Sequence, residues 1–200
     1  MKTLKYKIAS CGLLGASLLL GLSACSDDHF DVKSGIASSS NTIWQNIQAT
    51  QDLDSLAMIL SRTIVMKDEN DKRGKLTYAE LLNQANTFTV WAPKNGSFNA
   101  KYYLDLLDQR DALLKQGGEN AAEANKRAWE LNYLVGNQLL QNHVANFNFA
   151  STTADQQVRM LNTKLSTYNA GRSLFNNIPT EGNIVSSNGA LHMLKGQSPF

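Results

Sequence analysis

The chain has 200 residues, 42% of them hydrophobic and 18% charged, a composition that excludes both a long disordered chain and a polytopic membrane protein. Its formal net charge is only +2, and three prolines with thirteen glycines exclude a collagen-like or proline-rich spacer. Three histidines (His29, His143, His192) and two cysteines (Cys11, Cys25) leave little material for a metal cluster or a disulfide framework.

Lys2, Lys5 and Lys7 precede an apolar and small-residue run from Ile8 to Ala24. This is the pattern of a signal peptide over residues 1–24. An uncleaved anchor would want about 20 apolar residues, and this run is shorter and weakened by Ser10, Ser17 and Ser23. Leu22-Ser23-Ala24-Cys25 resembles the lipobox of bacterial lipoproteins. The resemblance implies cleavage before Cys25 and acylation of its thiol and new amine, so the protein is expected to stay on its membrane, since each buried methylene adds about 0.8 kcal/mol. The mature chain then keeps sixteen basic side chains against seventeen acidic ones, a net charge of −1 that gives no footprint for nucleic acid.

Ser26-Asp27-Asp28-His29-Phe30-Asp31 and the serine-rich stretch to Ser40 are too polar to bury a core, so residues 25–40 are expected to be a flexible tether. Asp27 and Asp28 are read either as a solvated spacer or as a sorting signal. The second reading rests on their resemblance to the acidic export signal that sends some Gram-negative lipoproteins to the cell surface, and it implies a surface-exposed outer-membrane protein.

From Asn41 the pattern turns helical. Thr42 is placed to cap a turn carrying Ile43, Trp44 and Ile47, and Asp52 to cap a helix with Leu53, Leu56, Ile59 and Leu60 on one stripe. The acidic run from Asp68 is no calcium loop, because its sixth and twelfth positions are Arg73 and Ala79 instead of glycine and glutamate. Next, Thr87 to Trp91 alternates as a strand that Pro93 ends for want of an N–H, and Ser97 is placed to cap the following helix.

Thr87-Phe88-Thr89-Val90-Trp91-Ala92-Pro93-Lys94-Asn95-Gly96-Ser97-Phe98 resembles the first signature of fasciclin-like domains, with Trp91 in the aromatic place usually held by phenylalanine and Phe98 in that of the packing phenylalanine. Leu139-Leu140-Gln141-Asn142-His143-Val144 resembles the family's Leu-Leu-x-Tyr-His-Val segment, with Asn142 where tyrosine is usual. Asn183 to Leu194 resembles its second signature, an Asn188-Gly189 hairpin whose return strand carries His192. Asn-Gly between alternating apolar strands is also a strong hairpin signal by itself, with both central residues at positive φ. The resemblance spans about Thr42 to Phe200 and places a fasciclin-like domain over residues 41–200. The chain stops just after the last signature; either the domain closes there or the sequence is a piece of a longer protein.

Between the signatures, Leu104, Leu106, Leu107, Leu113 and Leu114, then Ala124, Ala128, Leu131, Leu134, Val135, Gln138 and Leu139, describe two long helices parted by Gly117-Gly118. An Asp105-Asp108-Arg110-Asp111 face is expected in solvent. Phe147 and Phe149, then Val158 and Met160, stand two apart as in strands, with Leu165 to Tyr168 a weaker candidate; such strands suit a sheet with one buried and one wet face. The expected fold is α+β, a fasciclin-like β-rich wedge of antiparallel strands with a layer of helices packed on it.

No Gly-x-Ser-x-Gly elbow, phosphate loop or His-Glu-x-x-His helix is present, and no cofactor or metal is expected. An ordered pocket with a nucleophile and a base in hydrogen-bond reach would favour an enzyme instead. Fasciclin-like domains are associated with cell adhesion, so the resemblance implies a non-enzymatic surface module contacting proteins or glycans. The alternative is an accessory lipoprotein of an outer-membrane uptake system for glycan nutrients. The signature residues Trp91, Pro93, Phe98, His143, Asn188, Gly189 and His192 are expected to be mainly structural. For His143 the expected partner is a nearby backbone carbonyl.

Overall fold

Helix starts need partners for their first amides, and two threonines supply them. In the computed structural model, which describes residues 37–68, 76–150 and 154–200, Thr42 and Gln45 form a reciprocal capping box at α1 (Ile43–Gln48), and Thr77 and Glu80 form one at α3 (Tyr78–Asn83). Cys25, Asp27, Asp28 and the leader expected over residues 1–24 lie outside the described residues.

Asp52 does not cap α2 (Asp54–Arg62). It sits inside a 3₁₀ turn over Gln51–Leu53, and its carboxylate reaches Lys94 Nζ at 3.3 Å. The Ser55 amide is taken instead by Asn95 Oδ1, 3.1 Å away. Ser97 likewise spends its hydroxyl on Lys94 O at 2.8 Å within the turn, so Asn99 caps α4 (Ala100–Leu114) through Tyr102 N. Helix α5 (Ala121–Val135) follows the Gly117-Gly118 break and runs into a π turn over Gly136–Leu140.

The expected charged face is only partly wet. Arg110 is 7% exposed and donates to Arg62 O, Asn132 Oδ1 and Asp111 Oδ1. Arg62 in turn reaches Asp108 and Asp111, both at 2.8 Å, so the cluster ties α2, α4 and α5 together. The paired guanidinium groups hold the Asp111 carboxyl below the usual carboxylate range against the opposing effect of burial.

The α+β class is as expected, but the sheet is mixed where antiparallel strands were expected. Its strands are β1 (Ala37–Ser38), β2 (Phe88–Pro93), β3 (Val144–Asn146), β4 (Gln156–Arg159), β5 (Leu165–Asn169), β6 (Leu174–Phe175), β7 (Ile178–Ser186) and β8 (Gly189–Leu194). They run in the order β3-β2-β8-β7-β6-β5-β4, with β1 added on β7. Strands β2 and β8 pair in parallel from Phe88↔Gly189 to Pro93↔Leu194, and β1 is parallel to β7; the other pairs are antiparallel. The long chain between β2 and β8 provides the crossover that parallel pairing requires. Because β1 uses Ala37 and Ser38, the last part of the expected tether belongs to the domain.

Strand β2 is buried along its whole length, so at the centre both faces are dry, unlike the half-wet sheet expected. Phe88, Val90 and Ala92 join the helices in one core, while Trp91 faces a second core with Val158, Met160, Tyr168, Phe175 and Leu194. The second core forms because the sheet curls until its edges meet at one bridge, Ala145↔Met160, beside a Leu161 N to Val144 O bond of 2.9 Å.

The hairpin turn between β7 and β8 is Ser187-Asn188, not Asn188-Gly189, since Ser186 pairs with Gly189. The turn with positive φ at both central residues is Asn176-Asn177 (47° and 66°), between β6 and β7. Asn188, 4% exposed, is freed to bracket the helices: its Oδ1 accepts from Ile43 N, and its Nδ2 donates to Leu82 O and Gln84 O.

Candidate functional site

The three segments singled out in the sequence, around Thr87–Phe98, Leu139–Val144 and Asn183–Leu194, lie on adjacent strands. The first is β2, the second leads into β3 at one side of it, and the third is the β7–β8 hairpin, whose β8 is paired at the other side. Where β2 and β8 run together, Trp91 and His192 are register partners with rings 5.8 Å apart. Trp91 also stacks on Phe175 at 4.7 Å and meets Tyr168 edge-on at 5.1 Å. His192 Nδ1 donates to Asn183 Oδ1 at 2.9 Å, which leaves Nε2 to accept from the Tyr168 hydroxyl at 3.3 Å. Burial pushes His192 down to about 3 and the Tyr168 phenol upward, so both stay neutral.

Among the described residues, one donor in this cluster has no partner, the buried Trp91 Nε1. An orphaned donor costs about 1–3 kcal/mol, and phenylalanine carries none. Trp91→Phe is therefore expected to stay within about 1 kcal/mol of wild type in thermal denaturation, the lost orphan offsetting the smaller ring, whereas Trp91→Ala should lose about 3–5 kcal/mol. Equal losses in the two variants would show that the indole nitrogen is satisfied in solution.

His143, 2% exposed, donates from Nδ1 to Leu139 O at 2.7 Å, leaving Nε2 to accept from Ser198 Oγ at 2.9 Å. Phe200 lies edge-on to the ring at 5.3 Å. This places a hydroxyl and a base in reach, but the group behind the ring is a neutral carbonyl, which supports imidazolium less than a carboxylate would and is outweighed by burial. Burial also pushes the ring down to about 4. Neither residue lines the cleft described next.

That cleft opens at the seam where the sheet edges meet. It is a hollow of about 310 Å³ with Phe147, Phe149, Met160 and Leu161 as apolar walls and Asn146, Arg159 and Thr163 as polar ones. The expected Phe147–Phe149 strand is absent: β3 ends at Asn146, and Phe147 stands 73% exposed at φ 74°. Such a φ is strained for a bulky residue and survives only where neighbours enforce it. Here Phe147 N donates to Thr87 O at 2.9 Å, and the Thr89 hydroxyl donates to Phe147 O at 2.8 Å while accepting from Phe149 N at 2.9 Å.

The opposite wall is a turn after β4 with Thr163 at φ 67°. Asn162 Nδ2 donates to Asn142 Oδ1, 2.6 Å away, and Asn142 Nδ2 donates back into the helix end at Gln138 O. Asn142 thus positions a wall of the cleft. Alternating phenylalanines imitate a strand, so the sequence reading missed this site. The signal for a loop was Asn146-Phe147-Asn148, and Asn148 Oδ1 does accept from Ala150 N at 2.9 Å as in an Asx turn.

Among the described residues, no three histidine, cysteine or carboxylate side chains group as metal ligands, and no helix is long and apolar enough to cross a membrane. Compared with known proteins, the chain matches no family model and no curated protein.

Proposed function

We propose that this protein is a lipid-anchored extracytoplasmic lipoprotein whose domain is a fasciclin-like binding or adhesion module, not an enzyme. The observation that carries the family reading is the convergence of three separately read segments on the adjacent strands β3, β2 and β8. A chance likeness in three short segments would not demand that they be neighbours. The binding reading is supported by the strained, exposed Phe147 over an open cleft, since strain enforced by surrounding bonds concentrates at functional positions. In this reading Cys25 carries the lipid, Asp27 and Asp28 direct surface exposure at the outer membrane, and the ligand is a protein or a glycan.

The test uses the native host strain. Wild-type cells are expected to aggregate or attach to a surface, and Cys25→Ser to move the protein out of the membrane fraction, or hold it as an uncleaved precursor, and to remove that attachment. Persistence of the variant in washed membranes as a processed chain would refute the anchor. Unchanged attachment in a strain lacking the protein would refute the adhesion role.

A further inference from the structure

The cleft at the sheet seam has a chemical character that narrows its ligand. Its lining holds one cation, Arg159, and no carboxylate. Among the described residues, Arg159 has no acidic side chain within ion-pair distance; the acid near the start of β4, Asp155, is taken by Arg172 and Asn169. A planar guanidinium with open donors is a fork for a carboxylate. Beside it, Phe147 offers an aromatic face to solvent, and Leu165, the cross-strand partner of Arg159, is 56% exposed. Asn146 and Thr163 add an amide and a hydroxyl.

We propose that this cleft binds a carboxylated sugar unit of an acidic glycan, with Arg159 on the carboxylate, Phe147 against the C–H face of the ring, and Asn146 and Thr163 on hydroxyls. The inference deepens the binding-module reading and rests on it. An acidic peptide is the competing ligand for an arginine, but strand addition, the mode in which main-chain hydrogen bonds give an extended peptide its affinity, needs a free sheet edge. At this seam the edges are already joined by the Ala145↔Met160 bridge and the Leu161 N to Val144 O bond. The hollow of about 310 Å³ lies at the small end of ligand-site sizes, which suits one or two sugar rings.

Calorimetric titration of the full-length protein in detergent tests this, with tri-galacturonate and tri-mannuronate as probes against their methyl esters, neutral galactotriose and an acidic hexapeptide. At least one of the two uronates is expected to bind, and its methyl ester and the neutral sugar to bind at least about tenfold more weakly, the loss of one charge-assisted contact. Arg159→Gln and Phe147→Ala should each weaken that uronate by a similar factor while leaving the melting temperature unchanged, because both side chains are exposed. Equal binding of ester and acid, or full affinity in Arg159→Gln, overturns the assignment. Binding of the peptide alone, lost in both variants, overturns the sugar and keeps the cleft as a site. If no probe binds while wild-type cells still attach and cells lacking the protein do not, this inference falls and the adhesion reading stands.

Discussion

Gly189→Ala is expected to lose more than about 4 kcal/mol, most of the stability of an ordinary domain, and to melt at least about 10 °C below wild type. A Cβ at Gly189 would stand 1.8 Å from the carbonyl oxygen of Phe88, its register partner on β2, and the backbone there is at φ 139°. Backbone cannot swing aside as a side chain can, so β2 and β8 would have to part at the centre of the sheet. Gly182 is the control. A Cβ there would meet Met193 Cε at 1.9 Å, the far end of a flexible side chain, and its φ of 58° lies in the left-handed region that alanine enters at a cost of about 1–2 kcal/mol. Comparable melting of Gly189→Ala and wild type would show that the two strands are not in this register.

Mild acid is expected to be the second large effect. His143 and His192 are pushed down to about 4 and about 3 from an ordinary 6.5 by burial, which the hydrogen bond to the Leu139 carbonyl offsets only in part at His143. Below pH 6.5 the unfolded chain binds protons that the folded chain refuses, so stability is intact at pH 7 and falls as the pH drops through 6.5 toward the folded values. At pH 5 each histidine should contribute a loss of roughly 2 kcal/mol, about 4 kcal/mol together. The lowered carboxyls of Asp111, Asp155 and Glu181 act in the same direction, but only as the pH falls below the ordinary carboxylate range. Denaturant midpoints at pH 7 and pH 5 check this. A midpoint unchanged between them would mean that the rings already reach water, and in a folded His143→Gln variant the pH 7 to 5 loss should be about half.

Much of the helical half was legible because its signals are local. Thr42 with Gln45 closes a capping box within one turn, and Gly117-Gly118 breaks two apolar stripes that remain α4 and α5. Caps failed where the partner came from elsewhere: Asn95, distant in sequence, takes the amide expected for Asp52. The seam cleft was illegible for the same reason. Phe147 and Phe149 carry a strand pattern, yet the conformation at Phe147 is imposed by Thr89 of the neighbouring strand β2 and by Thr87 just before it.

The amino-acid sequence alone determined the α+β class, the helix pair and, to within one residue, the place of the last hairpin, since each depends on periodicity or on turn chemistry over a few residues. Tertiary structure alone decided that β2 and β8 pair in parallel, that Arg110 is buried, that Asn142 steadies a wall of the cleft, and that one exposed phenylalanine stands strained above it. Each of these joins groups separated by 20 residues or more, or depends on such a join, and the energy that selects it, a filled hydrogen bond or an excluded overlap, exists only once the sheet has brought them together.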